Sequence, residues 1–116
     1  MKKLFYYLFA LILFAACNRD RTDPAVEFSM PATGDQFATE AMFRVKAKIT
    51  DDGAIKKVTY KIYQRIKEYF PGTVSFELEE LETMSNIGGG TLDIYVIAED
   101  NAGNVTEKKI TVKHKY

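Results

Sequence analysis

The sequence has one cysteine, one histidine and no tryptophan among its 116 residues. Because Cys17 is the only cysteine, no disulfide can form within the chain. His114 is the only histidine and lies between two lysines, so neither a histidine-rich metal site nor a Ser-His-Asp arrangement is supported. We therefore expect His114 to be a solvated or edge residue, and we expect the protein not to be an enzyme.

The sequence also lacks an excess of charge of either sign. Sixteen Lys and Arg residues balance sixteen Asp and Glu residues. Two of the basic residues, Lys2 and Lys3, lie in an amino-terminal segment that we expect to be removed, which leaves a slight acidic excess. A nucleic-acid-binding domain usually carries a clustered basic surface, so we expect no nucleic-acid partner.

No apolar run is long enough to span a bilayer as a helix. The longest covers residues 4–16, which is thirteen residues, whereas a bilayer core of about 30 Å requires about 20. The run follows Lys2 and Lys3 and ends in small residues before Cys17. A basic region, an apolar region and small residues in this order are typical of a signal peptide. We therefore predict a signal peptide over residues 1–16.

The end of this segment, Phe14-Ala15-Ala16-Cys17, resembles the lipobox of bacterial lipoproteins, with Phe14 at a position usually occupied by leucine. The resemblance implies that the Cys17 thiol is lipidated. Acyl chains such as palmitate would then attach the protein to a membrane of the bacterial cell envelope. We expect the outer membrane, on its periplasmic or its external side. The alternative is a small buried cysteine at the end of an uncleaved helix. Residues 17–24 would form the lipidated cysteine and a short linker of mixed charge.

The remaining residues, 25–116, show the alternating apolar pattern of β-strands. The clearest strand begins at Thr91 and is followed by a turn at residues 99–104 that is rich in Asp, Asn and Gly. We expect Phe37 to close one end of the core, residues 78–84 to be a strand end and an irregular loop, and the glycines at 88–90 to form a flexible turn. Strands are predicted at residues 25–30, 42–50, 55–66, 74–79, 91–98 and 105–116.

The strand ending in A-E-D-N-A-G-N-V, residues 98–105, resembles the last hairpin of bacterial immunoglobulin-like domains. The resemblance implies a surface or periplasmic setting and a sandwich fold, without indicating a ligand. Short strands separated by turn residues, with no convincing helix, favour the same architecture. We predict an all-β fold, a two-sheet immunoglobulin-like sandwich of six or seven antiparallel strands.

Acidic and amide side chains are concentrated in two of the predicted turns. In a sandwich these turns would lie at the same end, and Ca²⁺ takes six to eight oxygen ligands, often from two loops. The second turn also resembles part of the A-x-D-x-x-G pattern of cadherin-type calcium sites. Ordinary turn chemistry is the alternative, and no other cofactor is expected. The candidate calcium ligands are Asp51, Asp52, Glu99, Asp100 and Asn101.

A second candidate site is a sheet face. If the strand at 55–66 pairs beside the strand from Thr91, its outward side chains would form one surface with those of that strand. Exposed aromatic groups can stack on sugars or anchor a protein partner, although isolated surface tyrosines are also common. The predicted face consists of Lys61, Tyr63, Tyr95 and Ile97, with Lys113 as a further member.

Together these features predict a non-catalytic, lipid-anchored domain that serves as a binding or structural module for a protein or glycan partner. A calcium-stabilised adhesion-type module and a small enzyme are the alternatives.

Overall fold

The computed structural model describes residues 22–115, and this part of the chain is entirely β-structure and turns. Within the same residues, no helix has the length and apolar character needed to cross a membrane. The predicted signal peptide, Cys17 and the first part of the linker lie outside the described residues. Eight strands are present: β1 (Ala25–Met30), β2 (Gln36–Ala38), β3 (Met42–Thr50), β4 (Ile55–Ile62), β5 (Arg65–Tyr69), β6 (Ser75–Thr83), β7 (Thr91–Asp100) and β8 (Val105–Lys115).

The strands form two sheets that pack face to face as an immunoglobulin-like sandwich, which confirms the predicted fold class. One sheet has three strands in the order β1-β3-β6, and the other has five in the order β2-β8-β7-β4-β5. Every strand pair is antiparallel except β2 with β8, which is parallel. The described part of the chain therefore has eight strands, not six or seven, and one parallel pair.

The two strands missing from the sequence-based prediction are β2 and β5. Phe37 on β2 stacks on Phe43, with ring centroids 4.5 Å apart, so it packs at the edge of the core as expected. The predicted strand at 55–66 instead breaks after Ile62, because Tyr63 adopts a left-handed φ of 55° and the chain reverses into β5. That turn contains no Gly, Pro, Asn or Asp, so its composition gave no signal.

The strand β6 is longer than predicted and continues to Thr83. Its inward positions carry Glu80 and Glu82, which interrupt the apolar alternation. Two cations of β5 reach across from the other sheet to these carboxylates: Lys67 pairs with Glu80 at 3.0 Å, and Arg65 pairs with Glu82. A loop covering residues 84–90 then leads to β7.

Alternation along β3 and β7 builds the core. On each of these strands every second side chain is buried, and the intervening ones are exposed or half-buried. Burying one such side chain contributes about 1.5–3 kcal/mol. The fully buried aliphatic side chains include Val45, Ile49, Ile55, Val58, Ile62, Leu78, Ile94, Val96 and Val112.

The described chain enters the sandwich at one of its two ends. The Thr22 carbonyl accepts a hydrogen bond from Asn104 Nδ2 at 3.4 Å, and the Asn101 N–H donates to the Ala54 carbonyl at 3.2 Å. The β3–β4 and β7–β8 turns therefore lie at the same end, as predicted, and we call it the entry end. The opposite end, the far end, contains Tyr63, the loop over residues 84–90 and the last residues of β8.

Candidate functional site

Asp100 organises the turn between β7 and β8 at the entry end. Its side chain is fully buried. Oδ1 accepts hydrogen bonds from the N–H groups of Ala102, at 3.0 Å, and Asn104, at 2.9 Å, while Oδ2 accepts one from Asn104 Nδ2 at 2.9 Å. The aspartate thus accepts hydrogen bonds from three donors of its own turn.

Opposing effects act on the pKa of Asp100. Burial alone would raise it, but hydrogen bonding with the side chain and N–H of Asn104, with the Ala102 N–H and with the Asp51 side chain outweighs burial. The pKa of Asp100 therefore lies below its ordinary value, and the group is a carboxylate at neutral pH. Asp51 also supports its own turn, since its Oδ2 accepts the Gly53 N–H at 3.3 Å.

The structure brings two of the five candidate calcium ligands together. Asp51 and Asp100 interact, whereas Asp52 and Asn101 are exposed. Glu99 projects from the outer face of the five-stranded sheet, between Lys57 and Val105. Among residues 22–115, no group of three or more His, Cys, Asp or Glu side chains is placed to hold a metal ion. Calcium binding at this end stays a prediction, and the observed geometry is that of a hydrogen-bonded turn.

The predicted sheet face is present on the five-stranded sheet, without one of its members. β4 pairs with β7 as expected, which sets Lys61 directly opposite Tyr95 and Thr59 opposite Ile97. Lys61, Tyr95 and Ile97 are each half-buried on the outer side. Lys113 lies further along the same side, opposite Thr91.

Tyr63 does not belong to this face, and that part of the prediction is wrong. Its left-handed backbone directs the side chain towards the three-stranded sheet, where the ring packs against the core. The hydroxyl donates a hydrogen bond to the Thr83 carbonyl at 2.9 Å and accepts one from the Ser85 N–H at 2.9 Å. Tyr63 therefore connects the β4–β5 turn to the end of β6.

The outer face contains a groove that the sequence did not reveal. Its volume is about 390 Å³, and Ile66, Ile97 and Val105 supply its apolar surface. Ile66 is 63% exposed and Val105 is 53% exposed. Ile66 lies opposite Lys61 only because the chain reverses into β5, a strand that has no turn signal before it. Charged and polar side chains complete the groove, namely Lys57, Thr59, Lys61, Glu68 and Glu99.

A buried polar cluster joins the two sheets beside β5 and β6. Glu82 is 3% exposed, accepts a hydrogen bond from the Tyr60 hydroxyl at 3.1 Å and pairs with Arg65. Burial, followed by the charge of Glu82, raises the pKa of Tyr60. The tyrosine therefore stays protonated and donates to the carboxylate, which satisfies a charge that would be costly to bury alone.

His114 is 5% exposed, so the expectation of a solvated residue is wrong. It follows Ile110 and Val112 at two-residue spacing on β8, and this alternation carries it inward. Nδ1 accepts the Gly89 N–H at 2.8 Å, so Nε2 carries the proton and donates to Thr39 Oγ1 at 2.7 Å. His114 thereby fixes the glycine loop, in which Gly89 has a left-handed φ of 78°.

Comparisons with known proteins agree with this fold. The profile of the bacterial Ig domain family matches residues 24–66. Among solved structures, the chain resembles an endo-beta-1,4-mannanase from Thermotoga petrophila, with 16% identity and a TM-score of 0.60 over 84% of this chain and 21% of that one. It also resembles the fibronectin(III)-like modules of Clostridium thermocellum CbhA, with 14% identity and a TM-score of 0.55 over 78% of this chain and 96% of that one.

A superoxide reductase (neelaredoxin) from Ignicoccus hospitalis is similar as well, with 13% identity and a TM-score of 0.58 over 87% of this chain and 86% of that one. No curated protein matches the sequence. The chain spans about a fifth of the mannanase's length. At these identities the structural likeness shows the fold alone: this is an immunoglobulin-like β-sandwich module, similar over residues 24–66 to bacterial Ig domains.

Proposed function

We propose that this protein is a non-catalytic binding module, held at the bacterial cell envelope by acyl chains on Cys17, that binds a protein partner through the outer face of its five-stranded sheet. The observation that carries the proposal is the groove on that face, where Ile66, Ile97 and Val105 are surrounded by charged side chains of both signs. An apolar centre with a polar rim is the usual composition of a protein interface.

The tether is supported by the signal-like segment and by the position at which the domain begins. Thr22 contacts the entry end through Asn104. An extended chain spans at most about 3.6 Å per residue, so a lipid on Cys17 would hold the entry end within roughly 18 Å of the membrane surface. The outer sheet face runs from the entry end to the far end, and it would remain accessible from the side.

The apolar part of the groove favours a protein over a glycan. Ile66, Ile97 and Val105 are branched aliphatic side chains, which pack well against other apolar side chains. Sugar rings are typically bound by stacking on exposed flat aromatic rings, whereas Tyr95 is half-buried between Lys61 and Lys109. A glycan is therefore the second outcome of the test rather than the proposed partner.

Photocrosslinking in the bacterial cell that produces the protein tests the proposal. A photoreactive amino acid replaces exposed Ile66 in one variant and, as the control, exposed Glu27 on β1, an edge strand of the other sheet. We expect a protein adduct from position 66 and none from position 27. Equal adducts from both positions, or none from position 66, would contradict the proposal. Binding on a glycan array that is lost in Tyr95→Ala would instead identify a sugar as the ligand.

A further inference from the structure

β6 is an edge strand of the three-stranded sheet. It pairs with β3 along its whole length, in a register without a bulge, and no other described strand lies on its free side. Such edges present unpaired N–H and C=O groups and can accept another strand. The neighbouring edge of the sandwich, β5, lies in the other sheet, so it does not pair with β6.

Hydrogen bonds at both ends of β6 show which of its residues face the free edge. The Met84 N–H donates to the Ala41 carbonyl, and the Met84 carbonyl accepts the Glu40 N–H. At the other end of the strand, the Val74 carbonyl accepts the Asp51 N–H. The backbone N–H and C=O groups of even-numbered residues of β6 therefore point towards β3. Successive residues of a strand direct their N–H and C=O groups to opposite sides. The groups of Glu77, Glu79 and Leu81 therefore point away from β3.

The protein's own side chains delimit this free edge. At the far end, the Tyr63 hydroxyl bonds to the Thr83 carbonyl and the Ser85 N–H. Towards the entry end, Thr73 Oγ1 donates to the Ser75 carbonyl at 2.7 Å. Between these two contacts, residues 77–81 have outward backbone groups without a strand partner in the described chain. At about 3.4 Å per residue the open stretch is about 14 Å long, enough for one short strand.

The side chains beside the open stretch define what would fit there. Glu77 is exposed and makes no ion pair with any side chain of residues 22–115. Glu79 keeps half of its side chain exposed, although it pairs with Arg44 at 2.8 Å and with Lys46 at 3.9 Å. Leu81 is 51% exposed. A strand added at this edge would meet two carboxylates and one apolar side chain on the same face.

We propose that residues 77–81 of β6 form a strand-addition site for an extended, basic segment of a partner protein. Main-chain hydrogen bonds to Glu77, Glu79 and Leu81 would supply affinity, and lysine or arginine side chains opposite the two glutamates would supply specificity. A second copy of the chain is a poor occupant, because antiparallel pairing of two β6 edges about their centre sets Glu79 opposite Glu79. The site lies on the three-stranded sheet and does not depend on the groove of the other sheet.

The test uses the full-length chain in detergent micelles and a fluorescent, end-blocked nine-residue peptide of alternating lysine and valine. We expect saturable binding, and we expect hydrogen exchange to slow at the amides of Glu77, Glu79 and Leu81. Two further peptides are N-methylated at every second residue, one at the odd-numbered and one at the even-numbered positions. The peptide whose methyl groups face β6 should not bind, and the peptide whose methyl groups face away from β6 should bind as before. A peptide with glutamate in place of lysine should bind at least tenfold more weakly.

Variants of the chain provide the matched comparison. Leu81→Pro removes an outward N–H without removing a hydrogen bond to β3, a change that edge strands tolerate, and it should weaken binding at least tenfold. Leu81→Thr keeps the N–H and should change binding less than threefold. Amide spectra of both variants establish that the sandwich is intact.

Several results would overturn the proposal. The first is that the peptide does not bind at millimolar concentration. The second is that neither Leu81→Pro nor N-methylation of the peptide changes binding. The third is that the peptide slows hydrogen exchange on the outer face of the five-stranded sheet instead of at β6. Self-association of the chain that Leu81→Pro abolishes would identify a second copy as the occupant, which also contradicts the proposed partner.

Discussion

Replacing Asp100 with alanine should strongly destabilise the domain. The carboxylate accepts three hydrogen bonds of 2.9–3.0 Å from Ala102 and Asn104 and is fully buried. A hydrogen bond to a charged group is worth about 1.5–3 kcal/mol. Ala102 is exposed and Asn104 is half-buried, so water can replace part of what is lost. We therefore expect the Asp100→Ala change to lower the free energy of unfolding by about 3 kcal/mol.

A loss of this size is large for a domain of this length. Stabilities of about 0.05–0.15 kcal/mol per residue give roughly 5–14 kcal/mol for the described part of the chain. At 4–8 °C per kcal/mol, the melting temperature should fall by roughly 12–24 °C. The matched control is Asp52→Ala, which changes an exposed aspartate in the other turn at the same end and should shift stability by less than about 0.5 kcal/mol.

The effect should depend on pH in a defined direction. The pKa of Asp100 is lower in the folded protein than its ordinary value, so its contribution is complete above the unfolded pKa of about 3.9 and is lost as pH falls through the folded pKa. The difference in unfolding free energy between wild type and Asp100→Ala should be constant above about pH 5 and should shrink below about pH 4. Urea denaturation of a protein beginning at Asn18, measured at several pH values, provides the data. A cost below about 1 kcal/mol, or one equal to that of Asp52→Ala, would refute this account of the turn.

Three further predictions concern other contacts. His114→Ala should cost about 1–2 kcal/mol in urea denaturation and should speed hydrogen exchange at the Gly89 amide, and unchanged exchange would show that the histidine does not fix the loop. Arg65→Ala should lower the free energy of unfolding by about 1–3 kcal/mol, because it leaves the buried Glu82 carboxylate with Tyr60 as its remaining partner. This range is lower than for a fully buried ion pair because the Arg65 side chain is largely exposed. An unchanged free energy of unfolding would show that the pair does not stabilise the domain. Excess calcium should raise the melting temperature over that in chelator if the five candidate ligands bind it, and an unchanged value would reject that site.

The parts of the fold that were predicted correctly rest on local patterns. Along β3 and β7 every second residue is apolar over most of the strand, and turn residues rich in Asp, Asn and Gly follow, so a short window of sequence contains the whole signal. The pairing of Lys61 with Tyr95 followed from placing two such strands side by side. The burial of His114 could also be predicted from the sequence, because His114 continues the alternation of Ile110 and Val112, although the flanking lysines favour exposure.

The parts that were missed depend on contacts distant in sequence. Tyr63 occupies a left-handed position without being glycine, and its hydroxyl is held by backbone groups about twenty residues further along the chain. Glu82 is buried because Tyr60 and Arg65 approach it from the other sheet. Neither partnership shows in the local pattern, so the end of the third predicted strand and the extent of β6 could not be derived from it. The groove was missed for the same reason, since Ile66 lies on β5.

Metabolic labelling of the full-length protein with palmitate tests most directly the claim that this module is held at the envelope by a lipid. Cys17 is the only cysteine, so no other thiol in the chain can carry the acyl group. Wild type should incorporate the label and partition into detergent. Cys17→Ser should incorporate none, and it should still fold, because the core residues of the sandwich all follow Pro24. Label that survives in Cys17→Ser, or a wild-type protein that takes up no label, would contradict the account.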